Sequence, residues 1–311
     1  MMERLITIVG PTAVGKTDAT LFLAEKLGSP VLSGDAYQVY RGLNIGSAKP
    51  SAEELSRVHH DLIDIRSPFE SYHVADFQEE ARNLILRYNE EGKIPILSGG
   101  TGLYVQSLLE GYAFSAAEKD EELRAYLDKL WNEKGQEGLL SYATELAKKE
   151  GITLPFTDKH RLFRAIELLL AGDVETLRSP SKNGLSYEGP VIGLIRDRKE
   201  LYDRINLRVD LMVKAGLFEE VEALCKEGLT ASHTSMKGIG YKEIFPYFEG
   251  HISKEVAIDL IKKNTRHFAK RQLTWYRRMP YIYWITISED MTNEDVQKAV
   301  LRYVESELHD Y

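Results

Sequence analysis

Apolar and polar positions follow two different periods along this chain, and the switches between them outline the molecule. Short apolar runs stand at Arg4–Val9 (RLITIV), Pro30–Gly34 (PVLSG), Ile94–Gly100 (IPILSGG) and Gly189–Ile195 (GPVIGLI), bounded by Gly or Pro. Such runs read as strands. Helical spacing follows the first run through Leu27, and an amphipathic helix is expected near Val74–Glu91, between the second and third. Apolar strands alternating with helices predict a parallel sheet covered on both faces, an α/β core. Ligands of such sheets gather beyond the carboxyl ends of the strands.

The pattern changes from about Ser115 to Lys182. KDEELRAYLDKLWNEKGQEGLLSYATELAKKEG and DKHRLFRAIELLLAG read as helices joined by polar turns, and RSPSKNGLSYEGP as a loop returning to a strand. The expected organisation is an α/β core from residues 1–114 and 185–311, with 115–184 as an all-helical insertion. In the second helix Leu162, Ile166, Leu169 and Leu170 can face a core, while His160, Arg161 and Arg164 form a basic face. Further helices are expected near Lys199–Glu227 and Lys254–Arg278, before a final apolar segment, YIYWITI.

Composition narrows the class. With 311 residues, 43% hydrophobic, the chain can bury a sizeable core, and its longest apolar runs, such as VIGLI, cannot cross a bilayer. MMERLITIVG shows no leader pattern, so a cytoplasmic protein without a membrane partner is expected. The single cysteine, Cys225, allows no internal disulfide and lies at helical spacing with Leu217, Val221 and Leu224, as a structural thiol would. The histidines, His59 and His60 included, lack metal-ligand spacing with cysteine and read as structural. A net charge of −8 argues against nucleic acid, yet IKKNTRHFAKRQLTWYRRMP (Ile261–Pro280) carries seven Lys or Arg and no acid.

The chemistry begins at GPTAVGKT. Gly10 and Gly15 let the backbone turn so that N–H groups converge on phosphate oxygens at a helix start. Lys16 can reach the terminal phosphate and the Thr17 hydroxyl can ligate Mg²⁺. A nucleotide-hydrolysing or kinase site also expects an acid at the end of a later strand. IPILSGGTG ends in Ser98, Gly99, Gly100 and Thr101 instead, and no clean apolar run precedes Asp61 or Asp64 in DLIDI. Asp35, directly after VLSG, belongs at the phosphate-loop edge as a general base, a metal ligand or a turn cap. Arg204 and Arg208, four apart, form either a second cation over a diphosphate or a surface salt-bridge helix. Lys263, Lys270 and Arg277 recur every seven residues, Arg266 lies four before Lys270, and Trp275 and Tyr276 add aromatic surface. That combination suits RNA phosphates and bases, or a solvated basic helix.

GPTAVGKT, GDAYQVYRGLNIGSAKP, SGGTGLY, KHRLFRAIE, GIGYKE and KRQLTWYRR, in this order and spacing, closely resemble the bacterial tRNA dimethylallyltransferase (IPP transferase) family. The resemblance spans nearly the whole chain and is weakest in the insertion and the last twenty or so residues. It implies a P-loop NTPase-like core whose helical insertion grips the anticodon stem-loop. It also implies transfer of a dimethylallyl group from dimethylallyl diphosphate to N6 of adenosine 37, with Mg²⁺ present. Gly10, Pro11, Thr12, Ala13, Val14, Gly15, Lys16 and Thr17 then fall on the diphosphate loop, and Thr17 on the metal. Asp35 falls on the general base and Arg204 on an arginine contacting the leaving diphosphate.

Asp35, Ala36, Tyr37, Gln38, Thr101, Arg124, His160, Arg161 and Arg164 fall on positions implied to touch tRNA, as do Lys237, Gly240, Tyr241, Lys242, Lys270, Arg271, Gln272, Trp275 and Arg277. Two residues depart from the family pattern: Ala36 stands where Ser is usual, losing any hydrogen bond from that serine, and His160 where Gln is usual, though His160 can still donate to RNA. Three other functions fit less well. An enzyme prenylating free adenine nucleotides needs neither the insertion nor the basic helix. An ATP-dependent small-molecule kinase expects the missing strand-end acid. A non-catalytic RNA-binding module needs no Lys16, Thr17 or Asp35. A monomer is expected.

Overall fold

The computed structural model describes residues 2–114, 120–178 and 184–309. The expected domain edge at Ser115 and residues 179–183 of the returning loop lie outside them. Two compact units form, Met1–Leu109 with Leu185–Tyr311, and Glu110–Gly184.

The first unit carries a parallel sheet of β1 (Ile6–Val9), β2 (Val31–Ser33), β3 (His60–Asp61), β4 (Ile96–Gly99), β5 (Val191–Arg196) and β6 (Tyr283–Ile287). Its strand order is β3-β2-β4-β1-β5-β6. The runs legible in the sequence are the inner strands β2, β4, β1 and β5, which are apolar because helices cover both faces. Side chains alternate across the sheet: Leu5 and Val9 enter one hydrophobic cluster, Ile6 and Ile8 the other. The edges were less legible. β3 is two residues long and β6 alternates in exposure.

Helices α1 (Lys16–Leu27), α2 (Ala52–Arg57), α3 (Val74–Glu90) and α4 (Gly102–Leu109) precede the second unit. That unit contains α5 (Glu121–Lys149), α6 (Lys159–Leu170) and α7 (Val174–Arg178). After it come α8 (Arg198–Lys214), α9 (Leu217–Lys226), α10 (Phe245–Phe248), α11 (Lys254–Tyr276) and α12 (Asn293–His309). The helix expected over Lys199–Glu227 is therefore two, broken where Gly216 turns left-handed at φ 100°. Cys225 is half-buried, and burial pushes its thiol pKa up, as a structural thiol requires.

In the second unit α5 and α6 share a core of Leu127, Leu130, Leu139, Leu162, Phe163 and Ile166. Leu170 does not face a core as expected. It closes the last turn of α6 and is 50% exposed, whereas Leu168 is buried. Among the described residues no helix is long and apolar enough to cross a membrane.

One close approach positions the site. Gly34 follows β2 and donates its N–H to Ser98 O (2.8 Å), while Thr101 N–H donates to Gly34 O (3.2 Å). A Cβ on Gly99 would lie 2.4 Å from Gly34 O, a backbone atom that cannot swing aside. Gly99→Ala is therefore expected to cost about 1–3 kcal/mol through forced backbone shifts, read as a lower midpoint in a thermal melt. An unchanged melt would show that the strand ends can part freely.

Candidate active site

The phosphate loop runs from β1 into α1 with its carbonyls held from behind by cations. Lys16 Nζ donates to Gly10 O (2.9 Å) and Pro11 O (2.8 Å), Arg204 Nε to Ala13 O (2.9 Å), and Arg196 Nε to Val14 O (2.9 Å). Ala13 takes a left-handed φ of 63°, and Gly10 lies so close to β5 that a Cβ would sit 2.7 Å from Leu194 O. The amides of Lys16 and Thr17, first in α1, have no carbonyl partner among the described residues, as at any helix start. Such a loop receives an anion.

Asp35 stands after β2 at the same sheet edge. Its Oδ1 accepts the Tyr37 N–H (2.8 Å), so the turn-cap role suggested by the sequence is real. The carboxylate nevertheless lines a cavity of about 480 Å³ with Thr12, Lys16, Thr17 and Arg208. Lys16 and Asp35 are both half-buried at this cavity. Burial, aided by Arg208, holds the Lys16 ammonium down to about 7, against an opposing pull from Asp35. Burial raises the Asp35 pKa, against hydrogen bonds from the Tyr37 and Gln38 amides and the charges of Lys16 and Arg208. Apolar side chains also line the cavity, Ile205 and Met212 from α8 and Phe268 from α11.

The two arginines of α8 divide their work. Arg204 braces the loop backbone, and Arg208, whose guanidinium donates to Thr12 Oγ1 (3.4 Å), lines the cavity. The Thr17 hydroxyl is exposed at the cavity and makes no hydrogen bond to another described residue. A hard oxygen there, with diphosphate and water oxygens to complete the shell, fits Mg²⁺. The acids considered for a nucleotide site are occupied elsewhere: Asp61 accepts from Tyr88 Oη (2.6 Å) and Asp64 pairs with Lys49 (2.6 Å).

The residues expected at RNA separate into exposed and buried sets. Lys237, Lys242, Lys270, Arg271 and Arg277 are exposed, as is Lys263 of the seven-residue stripe. Arg266 is half-buried and tied to Asn206 (2.6 Å). Ala36, Tyr37, Gln38 and Thr101 line the cavity, where Thr101 Oγ1 accepts the Ala36 N–H (3.1 Å). Gln38 accepts from Ser33 Oγ (2.8 Å) and donates to Ala48 O (3.2 Å). Gly240 donates its amide to Glu243 (2.9 Å).

Four side chains differ from expectation. Tyr241 is fully buried with its hydroxyl on Glu220 (2.9 Å), and Tyr276 is fully buried beneath Gly99, so neither offers aromatic surface. Gln272 is buried between two loops, and Trp275 is half-buried against Gly102. For the three on α11 the physical reason is the helix's inner face, which meets Gly99, Gly100 and Gly102 where β4 passes into α4.

Within the second unit, His160 and Arg161 are exposed. Arg124 (3.2 Å) and Arg164 (3.1 Å) share the buried carboxylate of Glu167, whose pKa is lowered by the two arginines despite its burial. The sequence reading missed Glu167. It also missed Arg196, Glu220, which accepts the amides of Asn44, Ile45 and Gly46, and His60 on the cavity wall. An acid four or three residues from an arginine was the available signal for Glu167.

Fold and loop together define a P-loop-type α/β protein whose anion-receiving loop stands beside a half-buried carboxylate. Residues 38–279 match the family model described as IPP transferase. A tRNA dimethylallyltransferase of Alkaliphilus oremlandii is 41% identical over 307 residues, 97% of each chain, and one of Bacillus cereus is 41% identical over 308 residues, covering 98% of this chain and 96% of its own. The solved tRNA isopentenylpyrophosphate transferase of Bacillus halodurans superposes with a TM-score of 0.75 at 39% identity, covering 99% of this chain and 97% of its own. A eukaryotic dimethylallyltransferase superposes with a TM-score of 0.81 at 23% identity over 98% of this chain and 80% of its own, a likeness of fold. The chain belongs to the IPP transferase family and is a prenyl-transferring enzyme.

Proposed function

We propose that this enzyme transfers the dimethylallyl group of dimethylallyl diphosphate to N6 of adenosine 37 in tRNA, releasing diphosphate, with Asp35 as general base. The observation that carries this function is the single cavity in which Asp35 faces Lys16, Thr17 and Arg208. Curated relatives at 41% identity bear the name tRNA dimethylallyltransferase.

The adenine amine is a poor nucleophile because its lone pair is delocalised into the ring. As its nitrogen bonds to the allylic carbon, a proton passes from N6 to the Asp35 carboxylate and the carbon–oxygen bond to diphosphate breaks. Burial makes Asp35 a stronger base than an exposed aspartate, and the Tyr37 N–H fixes its orientation. Loop amides, Lys16 and Arg208 face the charge that grows on the departing diphosphate, while Arg204 holds the loop from behind. Thr17 Oγ1 would hold Mg²⁺, which would supply further neutralisation of that charge when bound. The apolar wall of Ile205, Met212 and Phe268 suits the five-carbon group. Adenosine 37 must leave its stack, which costs a few kcal/mol and needs contacts from the surrounding RNA. The exposed cations of α11 and the Arg124–Glu167–Arg164 cluster of the helical unit are candidates for those contacts. The enzyme works in the cytoplasm, as a monomer.

The deciding experiment supplies labelled dimethylallyl diphosphate or ATP, with and without unmodified tRNA. Label is expected in the anticodon arm from the prenyl donor alone. Phosphate release from ATP without RNA prenylation would establish a kinase or hydrolase instead. In parallel, Lys270→Ala and Arg271→Ala are each expected to weaken tRNA binding and reduce its salt slope by about one unit per lost phosphate contact. An unchanged slope would show that this face does not touch RNA.

A further inference from the structure

We propose that Gln272 is a positioning residue that sets the phosphate loop against the end of β4, not an RNA contact. This inference rests on the reaction proposed above. Although Gln272 stands between the exposed Arg271 and the half-buried Leu273 of α11, it is only 4% exposed, on the helix's inner face. Its Oε1 accepts the Thr12 N–H (2.9 Å) and its Nε2 donates to Gly100 O (2.7 Å). Oxygen meets a donor and nitrogen an acceptor, so the partners fix which way the carboxamide points.

Its neighbours at i+3 and i+4 extend the same contact. A Cβ on Gly102 would lie 2.5 Å from the Trp275 ring, and Tyr276 Oη donates to Gly99 O (3.4 Å). A Cβ on Gly100 would lie 2.5 Å from Gln272 Nε2 itself. The glycines of SGGTG thus admit this face of α11.

The consequence reaches both halves of the site. Thr12 belongs to the loop that holds the leaving group. Gly100 precedes Thr101, whose hydroxyl accepts the Ala36 N–H beside Asp35. One carboxamide therefore spans from the leaving-group loop to the segment that seats the base. Group transfer is sensitive to displacements of about 1 Å between such parts. Removing the carboxamide also leaves two largely enclosed backbone groups, Thr12 N–H and Gly100 C=O, without their partner.

The test compares wild type with Gln272→Met, which keeps the length and removes both hydrogen bonds. Transfer kinetics, titration of inorganic diphosphate by calorimetry, and tRNA binding across a salt series are measured on the full chain. KM for dimethylallyl diphosphate is expected to rise and kcat to fall, each by about tenfold, with diphosphate binding weakened by about as much. The affinity for tRNA and its salt slope are expected to match wild type.

Gln272→Glu, which keeps the acceptor for Thr12 but sets a carboxylate against Gly100 O and near the diphosphate, is expected to bind diphosphate less well than Gln272→Met. Gly100→Ala displaces the same carboxamide and is expected to reproduce the rise in KM. Combined with Gln272→Met it should add little. If Gln272→Met fails to fold by circular dichroism, Gly100→Ala carries the same criteria alone. Weaker tRNA binding with a lower salt slope and an unchanged donor KM would return Gln272 to the RNA face. Unchanged kinetics, or additive effects of the two substitutions, would end the positioning role. Should wild type transfer nothing to RNA, the proposed reaction fails, while the diphosphate titration still decides whether Gln272 supports the loop.

Discussion

Asp35→Asn is expected to lower kcat by about 10²–10⁴ fold, the scale of a positioned general base, while tRNA affinity stays close to wild type. The substitution nearly preserves shape. An asparagine oxygen can still accept the Tyr37 N–H that organises the turn, so the structural role of Asp35 survives and its basicity alone is lost. The carboxylate sits among protein atoms, and burial raises its pKa despite the nearby cations. The protonated form cannot accept the N6 proton. Turnover is therefore expected to fall as pH drops through this raised value, beginning above the ordinary aspartate range. That acidic limb should be missing from the residual activity of Asp35→Asn. Single-turnover transfer of labelled dimethylallyl groups at several pH values, with tRNA binding measured alongside, reads all of these quantities. Near wild-type turnover would remove Asp35 from the chemistry and leave it as a turn cap.

The sequence exposed the parts of this molecule that local chemistry dictates. Inner strands must be apolar on both faces, so β1, β2, β4 and β5 were visible as runs, and the glycines and lysine of GPTAVGKT marked the loop between β1 and α1. What stayed hidden depended on distant partners. β3 pairs with β2 through His60 and Asp61 alone, too short to leave a pattern. On α11 the exposed Lys263, Lys270 and Arg277 were legible as a stripe, yet the family resemblance set Gln272 at the RNA with them, and Tyr276 was read as aromatic surface of the same segment.

At about 100° per residue, Gln272 lies far around the helix from Lys270. With Ala269 and Tyr276 it forms a buried line at i, i+3 and i+7. That periodicity was in the chain, but its single polar member could not reveal that it reaches Thr12 and Gly100. The division between Arg204 and Arg208 was hidden similarly. Both occupy one turn-spaced row of α8, and only the course of the phosphate loop decides which one braces a carbonyl and which faces the cavity.

Lys16→Met is the second large effect, with kcat for transfer expected to fall about 10²–10³ fold, the scale for losing one preorganised group at developing charge. Lys16 donates to Gly10 O and Pro11 O, and burial beside Arg208 brings its pKa down to about 7 against the pull of Asp35. A diphosphate adds countercharge to that of Asp35 and favours the ammonium form. Leaving diphosphate is more negative than the diphosphate ester, so the lysine contributes more to the transition state than to the bound donor.

The loss should therefore fall mainly on kcat and on the affinity for inorganic diphosphate, with the donor KM shifting by less than about tenfold. Lys16→Arg is not expected to rescue transfer, because a planar fork cannot replace a point charge at the loop carbonyls and then turn to a phosphate in the same space. Steady-state transfer kinetics and calorimetric titration of diphosphate distinguish these cases. If the whole effect appeared in donor KM with kcat intact, Lys16 would hold donor and transition state equally, and the acceleration would rest on the loop amides and Arg208.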